Sequence, residues 1–252
     1  MVFKRSVDEI KMISKSCQIV ADTIDMITEF VVPGCLVSEL DKKAESYIKS
    51  RGARPAFKGY MGFPSTLCVS IEDAVVHGIP NEVELEEGQI VGIDCGAELN
   101  GFYGDHAKTF AVGNISEEKK KLMTTTEESL YKGIEKATPG NTIGDIGYAV
   151  QTHAESNGFS VVRELVGHGI GESLHEEPQI PNYGVPNKGY KLHSGMCIAI
   201  EPMINLGRKE IYTSKDGWTI LTADGKASAH FEHTIAILED GPQILSMVSN
   251  NG

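Results

Sequence analysis

Two aspartates on the arms of one predicted hairpin are the first residues in this sequence whose placement suggests chemistry. In VGIDCGAELNGFYGDHAKTF, residues 91–110, an Asn-Gly pair is a strong signal for a two-residue turn between strands. A turn centred there places Asp105 opposite Gly96, so Asp94 and Asp105 become diagonal neighbours on one face, roughly 7–8 Å apart at the backbone. Two solvent-facing acids on an edge hairpin are one explanation, and a shared site is the other.

Three further segments place acids or a histidine in apolar, strand-like sequence. LVGHGIGESLHEEP puts His168 between two glycines, with His175 farther along; GMCIAIEPMI encloses Glu201, and SAHFEHTIAI contains Glu232. A buried, unpaired carboxylate is costly, so it normally neutralises or finds a cation. One such acid could be a surface residue in a misread segment, but four acids and one histidine together indicate a common site.

A metal centre explains these residues most economically. The carboxylates of Asp94, Asp105, Glu201 and Glu232 supply four negative charges, which balance two divalent cations, and His168 adds an imidazole nitrogen. Bridging carboxylates hold such metals about 3.5–4 Å apart. Oxygen-rich ligation with a single nitrogen suits Mn, Fe or Co better than a thiolate-type structural zinc site. The sequence therefore predicts a five-ligand metal site.

The sequence offers no stronger rival motif. HEEPQ lacks the second histidine of the H-E-x-x-H zinc motif, GHGIG misplaces the third glycine of the dinucleotide fingerprint, and no Gly-x-Ser-x-Gly nucleophile motif occurs. The five cysteines are scattered and include no Cys-x-x-Cys pair, which argues against a disulfide framework and a zinc ribbon. We expect them to be small buried apolar residues.

Length and composition indicate a soluble globular protein. The 252 residues suffice for a full core, and no apolar run among the 40% hydrophobic residues approaches a membrane span. A formal charge of -12 disfavours general nucleic-acid binding. Apolar residues near the start step by threes and fours, which predicts an amphipathic helix rather than a signal peptide, so we expect a cytoplasmic protein.

The elements that must position the site form an internal repeat. ITEFVVPGCLVSELDKKAESYIKSRGA and GIEKATPGNTIGDIGYAVQTHAESNGF align at a constant offset of 106 residues. Each predicts a helix end, a Pro-Gly turn and a second helix closed by glycine. Chance sharing of turn chemistry is one explanation; we favour two similar α/β halves that meet at the site. We therefore expect one catalytic domain, residues 1–252, with halves of about 1–110 and 111–252.

At these residues the sequence resembles the type I methionine aminopeptidases, which are pita-bread metallopeptidases. The resemblance rests on YMGFPSTLCVSIEDAVVHGIPNE, GIDCGAELNGFYGDHAKTF, GHGIGESLHEEPQIPNYG, AIEPMI, DGWTILT and SAHFEHTIAI, in the family's order through nearly the whole chain. It implies an α/β (α+β) pita-bread fold, in which two pseudo-two-fold related halves surround a curved, mostly antiparallel central sheet.

The resemblance also implies roles for individual residues. It places the five metal ligands on the residues chosen above, for two divalent metal ions: Co, Mn, Fe or Zn. It implies that His77 contacts the scissile amide region and that His175 hydrogen-bonds the substrate carbonyl oxygen as it becomes tetrahedral. The methionine pocket would include Tyr60, Phe63, Cys68 and Trp218.

The expected activity is hydrolysis of the first peptide bond of a chain that begins with methionine. A hydroxide bridging two metals is the expected nucleophile, and Glu201 would pass its proton to the leaving amine. The family implies a small second residue and, as partners, nascent polypeptides at the ribosome. We expect a monomer with no membrane partner and no nucleic-acid specificity.

Three positions depart from the commonest family pattern. His106 stands where a small hydroxyl residue is usual, and it either lies near a metal or points away. Leu174 replaces an aromatic residue found in some members, which affects the width of the methionine pocket. His230 replaces a frequent glutamine two residues before a ligand, where it can support the metal site without binding metal.

Two rival functions remain open from the sequence. A proline-specific aminopeptidase or dipeptidase of the same fold would carry a similar ligand set, although such enzymes usually have an additional N-terminal domain. A catalytically inactive pita-bread protein would serve as a binding module. Missing ligands would be its signature, and all five are present here.

Overall fold

Helices and short antiparallel strands alternate along the chain in the computed structural model, which describes residues 2–248. The helices are α1 (Val7–Thr28), α2 (Val37–Ser50), a 3-10 turn (Tyr60–Gly62), α3 (Glu117–Ile134) and α4 (Ile143–Ser156). The strands are β1 (Arg54–Pro55), β2 (Leu67–Ile71), β3 (Ala74–Val76), β4 (Ile90–Leu99), β5 (Phe102–Ala111), β6 (Ser160–Val161), β7 (Gly167–Gly169), β8 (Glu176–Ile180), β9 (Cys197–Ile200), β10 (Met203–Asn205), β11 (Ile211–Thr213), β12 (Ile220–Thr222), β13 (Ser228–His230), β14 (His233–Leu238) and β15 (Gly241–Ile244). Within this range no helix combines the length and apolarity needed to cross a membrane.

Helix α1 begins and packs as the apolar pattern predicts. The Ser6 hydroxyl accepts a hydrogen bond from the Glu9 N–H, and the Glu9 carboxylate accepts one from the Ser6 N–H at 2.7 Å, which forms a capping box. Apolar residues from Ile10 to Ile27 are buried at helical spacing. The helix lies directly on β5, where Gly104 leaves no room for a side chain: an added Cβ would lie 2.4 Å from the α1 backbone.

The predicted helical repeat is confirmed, and it extends to equivalent backbone contacts. Gly34 and Gly140 adopt φ values of 85° and 97° in the two Pro-Gly turns, a region open to glycine at little cost. The Gly34 N–H donates to the Leu85 carbonyl at 2.7 Å, and the Gly140 N–H donates to the Leu192 carbonyl at 3.0 Å. Each turn therefore docks on a corresponding segment of its own half.

The β4/β5 hairpin has the predicted turn and register. Asn100 and Gly101 both adopt positive φ values, 53° and 86°, as a two-residue hairpin turn of this hand requires. Gly96 pairs with Asp105, so Asp94 lies two residues along β4 from the residue opposite Asp105. The two acids consequently share one face of a sheet in which β1 and β2 both pair with β4.

The second main sheet has the order β15-β14-β9-β7-β8 and corrects the expected position of two acids. Glu201 directly follows β9, and Glu232 directly precedes β14, so both lie in breaks between strands rather than inside them. Pro202 has no N–H to continue a ladder after Glu201. Because both residues lie outside a strand, their side chains need not follow the alternation between the two faces of a sheet.

Two threonine hydroxyls join the hairpin to the chain around Glu232. Thr109 Oγ1 donates to the His230 carbonyl at 2.8 Å and accepts from the His230 N–H at 2.9 Å. Thr234 Oγ1 donates to the Asp105 carbonyl at 2.8 Å and accepts from the Asp105 N–H at 3.3 Å. We call this reciprocal arrangement the threonine seam; it satisfies buried backbone groups where no strand ladder is available.

The apolar core divides into two main clusters, which correspond largely to the repeated units. One contains Ile27 and Leu40 with the first sheet, and the other contains Ile146 and Ile198 with α3 and the second sheet. A third cluster, which includes Ile13, draws on both. Strand β3 also pairs with β12 from far along the chain, so the two parts interlock.

Two glycines of the second repeated unit, Gly140 in the Pro-Gly turn and Gly144 in the first turn of α4, predict different costs of substitution. Gly140→Ala should lower the free energy of unfolding by about 1–2 kcal/mol, because its surroundings are open but its φ is unfavourable for an L side chain. Gly144→Ala should cost more despite the better helix propensity of alanine, because its Cβ would lie 2.3 Å from the Val185 carbonyl oxygen. Urea unfolding followed by circular dichroism measures both, and an equal or smaller cost at Gly144 would contradict the packing argument.

Candidate functional site

One cavity of about 160 Å³ brings together every residue proposed for the site. Its lining comes from the β4/β5 hairpin, the second sheet with its connecting segments, the segment that precedes β4 and the connection between β11 and β12. The proposed ligands and substrate contacts in it are Asp94, Asp105, His168, Glu201, Glu232, His77, His175, Tyr60, Phe63, Cys68 and Trp218. Phe57, Met61 and Leu174 also line it. The cavity thus has a polar, acidic part and an apolar part.

His168 is oriented by its neighbours so that one ring nitrogen faces the acids. Its Nδ1 lies 2.9 Å from the Gly169 carbonyl; because that oxygen can only accept, Nδ1 carries the proton and Nε2 has a free lone pair. The flanking Gly167 and Gly169 are required by close packing, since a Cβ on either would lie 2.3–2.4 Å from a carbonyl oxygen of a neighbouring strand.

The distances between donor atoms suit a shared cation. His168 Nε2 lies 3.6 Å from Glu201 Oε1 and 3.9 Å from Asp105 Oδ2, both too long for hydrogen bonds. Donor atoms of Asp105, His168 and Glu232 all lie within 4.8 Å of one another. Ligands about 2.1 Å from one metal lie roughly 3–4 Å apart, which matches the two histidine distances.

Burial raises the pKa of all four carboxyl groups. The pKa of Asp94 rises to about 7 and that of Glu201 to about 8, while those of Asp105 and Glu232 rise well above their ordinary values. Desolvation is the largest cause for each group, and neighbouring acids add to it at Asp105 and Glu232. Without a cation, the cluster must hold protons near neutral pH.

Two unpartnered oxygens show that the residues fit a metal. Asp94 Oδ1 and Glu232 Oε1 are buried and have no hydrogen-bond partner within the described range. Leaving such an atom unsatisfied is costly, and a bound cation supplies the missing interaction. Four carboxylates and one unprotonated imidazole nitrogen form a donor set typical of divalent first-row metals.

His77 adopts a strained backbone conformation at the cavity. Its φ is 59°, which is uncommon for a residue with a Cβ and is typical of functional sites. The following Gly78 packs so tightly on β2 that a Cβ would lie 2.1 Å from the Val69 carbonyl oxygen. Desolvation lowers the pKa of His77 to about 4, so its imidazole is neutral at pH 7.

His175 lies at the cavity mouth, where its ring is exposed and contacts a tyrosine hydroxyl. Its Nδ1 is 2.9 Å from the Tyr60 oxygen, and its ring meets that of His168 edge-on at a centroid distance of 4.3 Å. Desolvation by the surrounding protein lowers its pKa, so it too is neutral at pH 7. The contact to Tyr60 joins two residues that the sequence assigned to the site separately.

The apolar part of the cavity is built around an aromatic pair. Phe63 and Trp218 meet edge to face with ring centroids 5.1 Å apart. Cys68 is buried beside them, and burial raises the pKa of its thiol well above the ordinary value, so it remains protonated. Leu174 is 2% exposed and adds a small aliphatic wall where some relatives of the predicted family carry an aromatic ring.

The structure places the two unusual histidines in different surroundings. His106 does not line the metal-facing cavity: its Nδ1 bonds the Glu232 carbonyl, and its ring stacks on His233 with centroids 4.6 Å apart. His230 is buried, with Nε2 3.6 Å from Glu201 Oε2. This distance is too long for a hydrogen bond, and the nitrogen has no hydrogen-bond partner among the described residues, so His230 lies beside the Glu201 carboxylate without binding it.

Met61 is the lining residue that sequence analysis missed most completely. It adopts a φ of 48° and is 83% exposed, although it is apolar. Its position between Gly59 and Gly62, both with positive φ, is a sequence signal for an unusual turn. Phe57 was also missed, because a buried phenylalanine in sequence reads only as core.

Comparison with known sequences relates the whole chain to metallopeptidases. A family model described as metallopeptidase family M24 matches residues 11–239. The chain is 51% identical over 248 residues to the methionine aminopeptidase of Clostridium perfringens, covering 98% of this chain and 100% of that protein. It is also 51% identical to methionine aminopeptidase 1 of Bacillus subtilis, with the same coverage.

Comparison with solved structures supports the predicted fold. The crystal structure of methionine aminopeptidase from Rickettsia prowazekii superimposes with a TM-score of 0.97 at 41% identity, covering 98% of this chain and 100% of that one. The prolidase from Pyrococcus horikoshii superimposes with a TM-score of 0.80 at 25% identity, and there the match covers 64% of the prolidase chain. The pita-bread fold class is thereby confirmed.

Metal-free protein should lose thermal stability as the pH rises from 6.5 to 8. A group whose pKa is raised by folding stabilises the folded state while protonated, and this contribution is lost as the pH passes through the folded pKa, about 7 for Asp94 and about 8 for Glu201. Histidines with a lowered pKa, such as His77 and His168, act in the opposite sense only below their ordinary value of 6.5.

Differential scanning calorimetry of chelator-treated protein measures this loss, which is at most about 1.4 kcal/mol per pH unit for each titrating group. Added Mn should raise the melting temperature most at pH 8, where the acids carry most charge. Glu201→Gln should flatten the pH dependence. A melting temperature that is constant from pH 6.5 to 8 in the metal-free protein would contradict the electrostatic description.

Proposed function

The chain belongs to metallopeptidase family M24, and on that premise we propose that it is a metal-dependent aminopeptidase that removes methionine from the N-terminus of peptides and nascent proteins. The observation that carries the proposal is a single cavity with a metal-binding donor set at one part and an apolar pocket at the other. The full-length likeness to methionine aminopeptidases supports the substrate class.

We propose that Asp94, Asp105, His168, Glu201 and Glu232 hold two divalent ions. Four carboxylate charges balance two such cations. The unpartnered oxygens of Asp94 and Glu232 support binding by acids of both the hairpin and the second sheet. Mn, Fe, Co and Zn are the candidate metals, since all accept oxygen and imidazole ligands. When bound, divalent ions lower the pKa of water and polarise a carbonyl oxygen.

Glu201 is the proposed proton carrier. Its carboxylate faces His168 and His230, each at 3.6 Å, and burial raises its pKa, which makes the ionised carboxylate a stronger base. A carboxyl group with a raised pKa can take a proton from the attacking water and release it to the leaving amine. His230, which is buried beside it, limits the positions that this carboxylate can adopt.

The two neutral histidines are proposed to act on the scissile amide. If the Tyr60 hydroxyl donates to His175 Nδ1, the Nε2 of His175 carries the proton and can donate to the substrate carbonyl oxygen as negative charge develops there. His77 would contact the same amide group from its strained turn. A lowered pKa keeps both rings neutral, so neither repels the free amine of the substrate.

Phe63, Cys68, Trp218 and Tyr60 are proposed to form the methionine pocket. A thioether makes favourable contacts with aromatic rings, and the protonated Cys68 thiol behaves as a small apolar surface. Binding of the free N-terminal amine in the metal-binding part of the cavity would restrict cleavage to the first peptide bond. By likeness to the family, we propose that the second residue of the substrate must be small.

We further propose a single catalytic domain with halves of about 1–110 and 111–252. The repeated helical hairpins, the pairing of β3 with β12 and the threonine seam all support two units that act as one. From the substrate class we propose that the protein acts on nascent chains at the ribosome, in the cytoplasm. We propose that it does so as a monomer.

Mass spectrometry of three peptides tests the activity. Metal-stripped protein with added Mn or Co should release methionine from Met-Ala-Ser, leave Met-Lys-Ser largely intact and leave Ala-Pro-Ser uncleaved. Asp94→Asn should abolish release, because it removes one charged ligand. Cleavage of Ala-Pro-Ser would favour the proline-specific alternative, and metal binding without any cleavage would favour a binding module.

His175→Ala should lower kcat for Met-Ala-Ser by about 10²–10³-fold, the usual cost of removing one donor to a developing oxyanion. Its metal content, measured by mass spectrometry of bound metals, should match that of the unmodified protein, since His175 is not a proposed ligand. His193→Ala is the control, because His193 lies outside the cavity lining. An unchanged kcat in His175→Ala would exclude the proposed role.

A further inference from the structure

A buried arginine outside the cavity contacts the loop that carries His175. Arg5 lies just before α1, and its side chain is only 3% exposed. Its Nη2 donates to both carboxylate oxygens of Glu176, at 2.6 and 2.7 Å, and its Nη1 donates to Glu172 at 3.0 Å. Glu176 directly follows His175 in the chain, and its own side chain is 7% exposed.

The loop is shaped around the guanidinium group. A Cβ on Gly171 would lie 2.4 Å from Arg5 Nη2 and 2.7 Å from its Cζ, so the planar group packs directly on a glycine backbone. The Phe3 ring lies 4.7 Å from the same Cζ. The Arg5 N–H donates to the Gly195 carbonyl at 2.7 Å, which anchors the arginine's own backbone beside the second sheet.

Glu176 connects this arginine to the backbone of the loop. One of its oxygens also accepts a hydrogen bond from the Ser173 N–H at 3.0 Å. The start of the loop is held separately, because the Tyr103 N–H donates to the Gly171 carbonyl at 2.8 Å. Between these attachments lie Leu174 and His175, the two loop residues that line the cavity.

We propose that Arg5 is a positioning residue for catalysis, which sets the place of His175 through the hydrogen bonds of its Nη2 to both carboxylate oxygens of Glu176. The inference rests on the proposed role of His175. Removing one partner of a buried ion pair leaves the other charge uncompensated, so Glu176 would turn towards water and carry the loop with it. Lysine cannot replace the arginine fully, because its single nitrogen lacks the planar guanidinium, whose two Nη atoms reach Glu176 and Glu172 separately.

A double-mutant cycle of Arg5→Ala and His175→Ala tests whether the arginine acts through the histidine. Arg5→Ala should lower kcat for Met-Ala-Ser by about 10–100-fold, the cost of a small misplacement of a reacting group. In the His175→Ala background the same change should have no further effect on kcat. The kcat of Arg5→Lys should lie between those of the unmodified protein and Arg5→Ala. If the fold losses in kcat of the two single variants multiplied in the double variant, the proposal would be overturned, because Arg5 would then have a separate or general structural role.

Amide hydrogen exchange supplies a readout that does not depend on activity. Arg5→Ala and Arg5→Lys should raise exchange within residues 171–176 while α3 and α4 keep their protection. Arg163→Ala is the matched control, since Arg163 pairs with Glu155 at 3.6 Å and does not line the cavity. Unchanged exchange in residues 171–176 would overturn the inference even in an active enzyme. Faster loop exchange in a protein that releases no methionine would instead refute the proposed function and leave the Arg5 contact intact.

Discussion

Four carboxylates held together away from water are the constraint on which the rest of this structure depends. Each would prefer to be solvated, and together they repel one another, so the chain must either hold protons there or bind cations. Asp94 and Asp105 stand on a hairpin, while Glu201 and Glu232 stand in breaks between strands of the second sheet. The folded chain is therefore less stable than it would be without these acids, which it holds together in the cavity between two sheets.

The scaffold keeps this gap in shape mainly through backbone contacts. Glycines beside His168 and after His77 let neighbouring strands approach more closely than any side chain would permit. The threonine seam joins β5 to the segment around His230, with which β5 shares no strand ladder in the described structure. In consequence close packing holds the backbone that carries the acids, so small backbone shifts cannot move these neighbouring charges apart.

Most of the site was predictable because acidic residues and histidines stand in apolar, strand-like sequence close to recognisable turn signals. The Asn-Gly turn sets the register of Asp94 and Asp105, and the Pro-Gly repeat predicts paired halves. Contacts between distant segments were not predictable: nothing in the sequence links Tyr60 to His175, which are 115 residues apart. The strand breaks at the two glutamates also escaped prediction, because strand-like apolar residues stand on both sides of each glutamate and the breaks appear only in the strand boundaries of the structure.

The threonine seam has a consequence for how the molecule comes apart. Two apolar clusters of comparable size could, in principle, melt separately, as the lobes of many two-lobed proteins do. Here the hydroxyls of Thr109 and Thr234 bind backbone groups at and beside the acids. Separating the two apolar clusters would therefore also disrupt the acidic cavity. Together with the β3/β12 pairing and the third apolar cluster, these two hydroxyl groups couple the two parts of the core, so the parts should unfold as one cooperative unit.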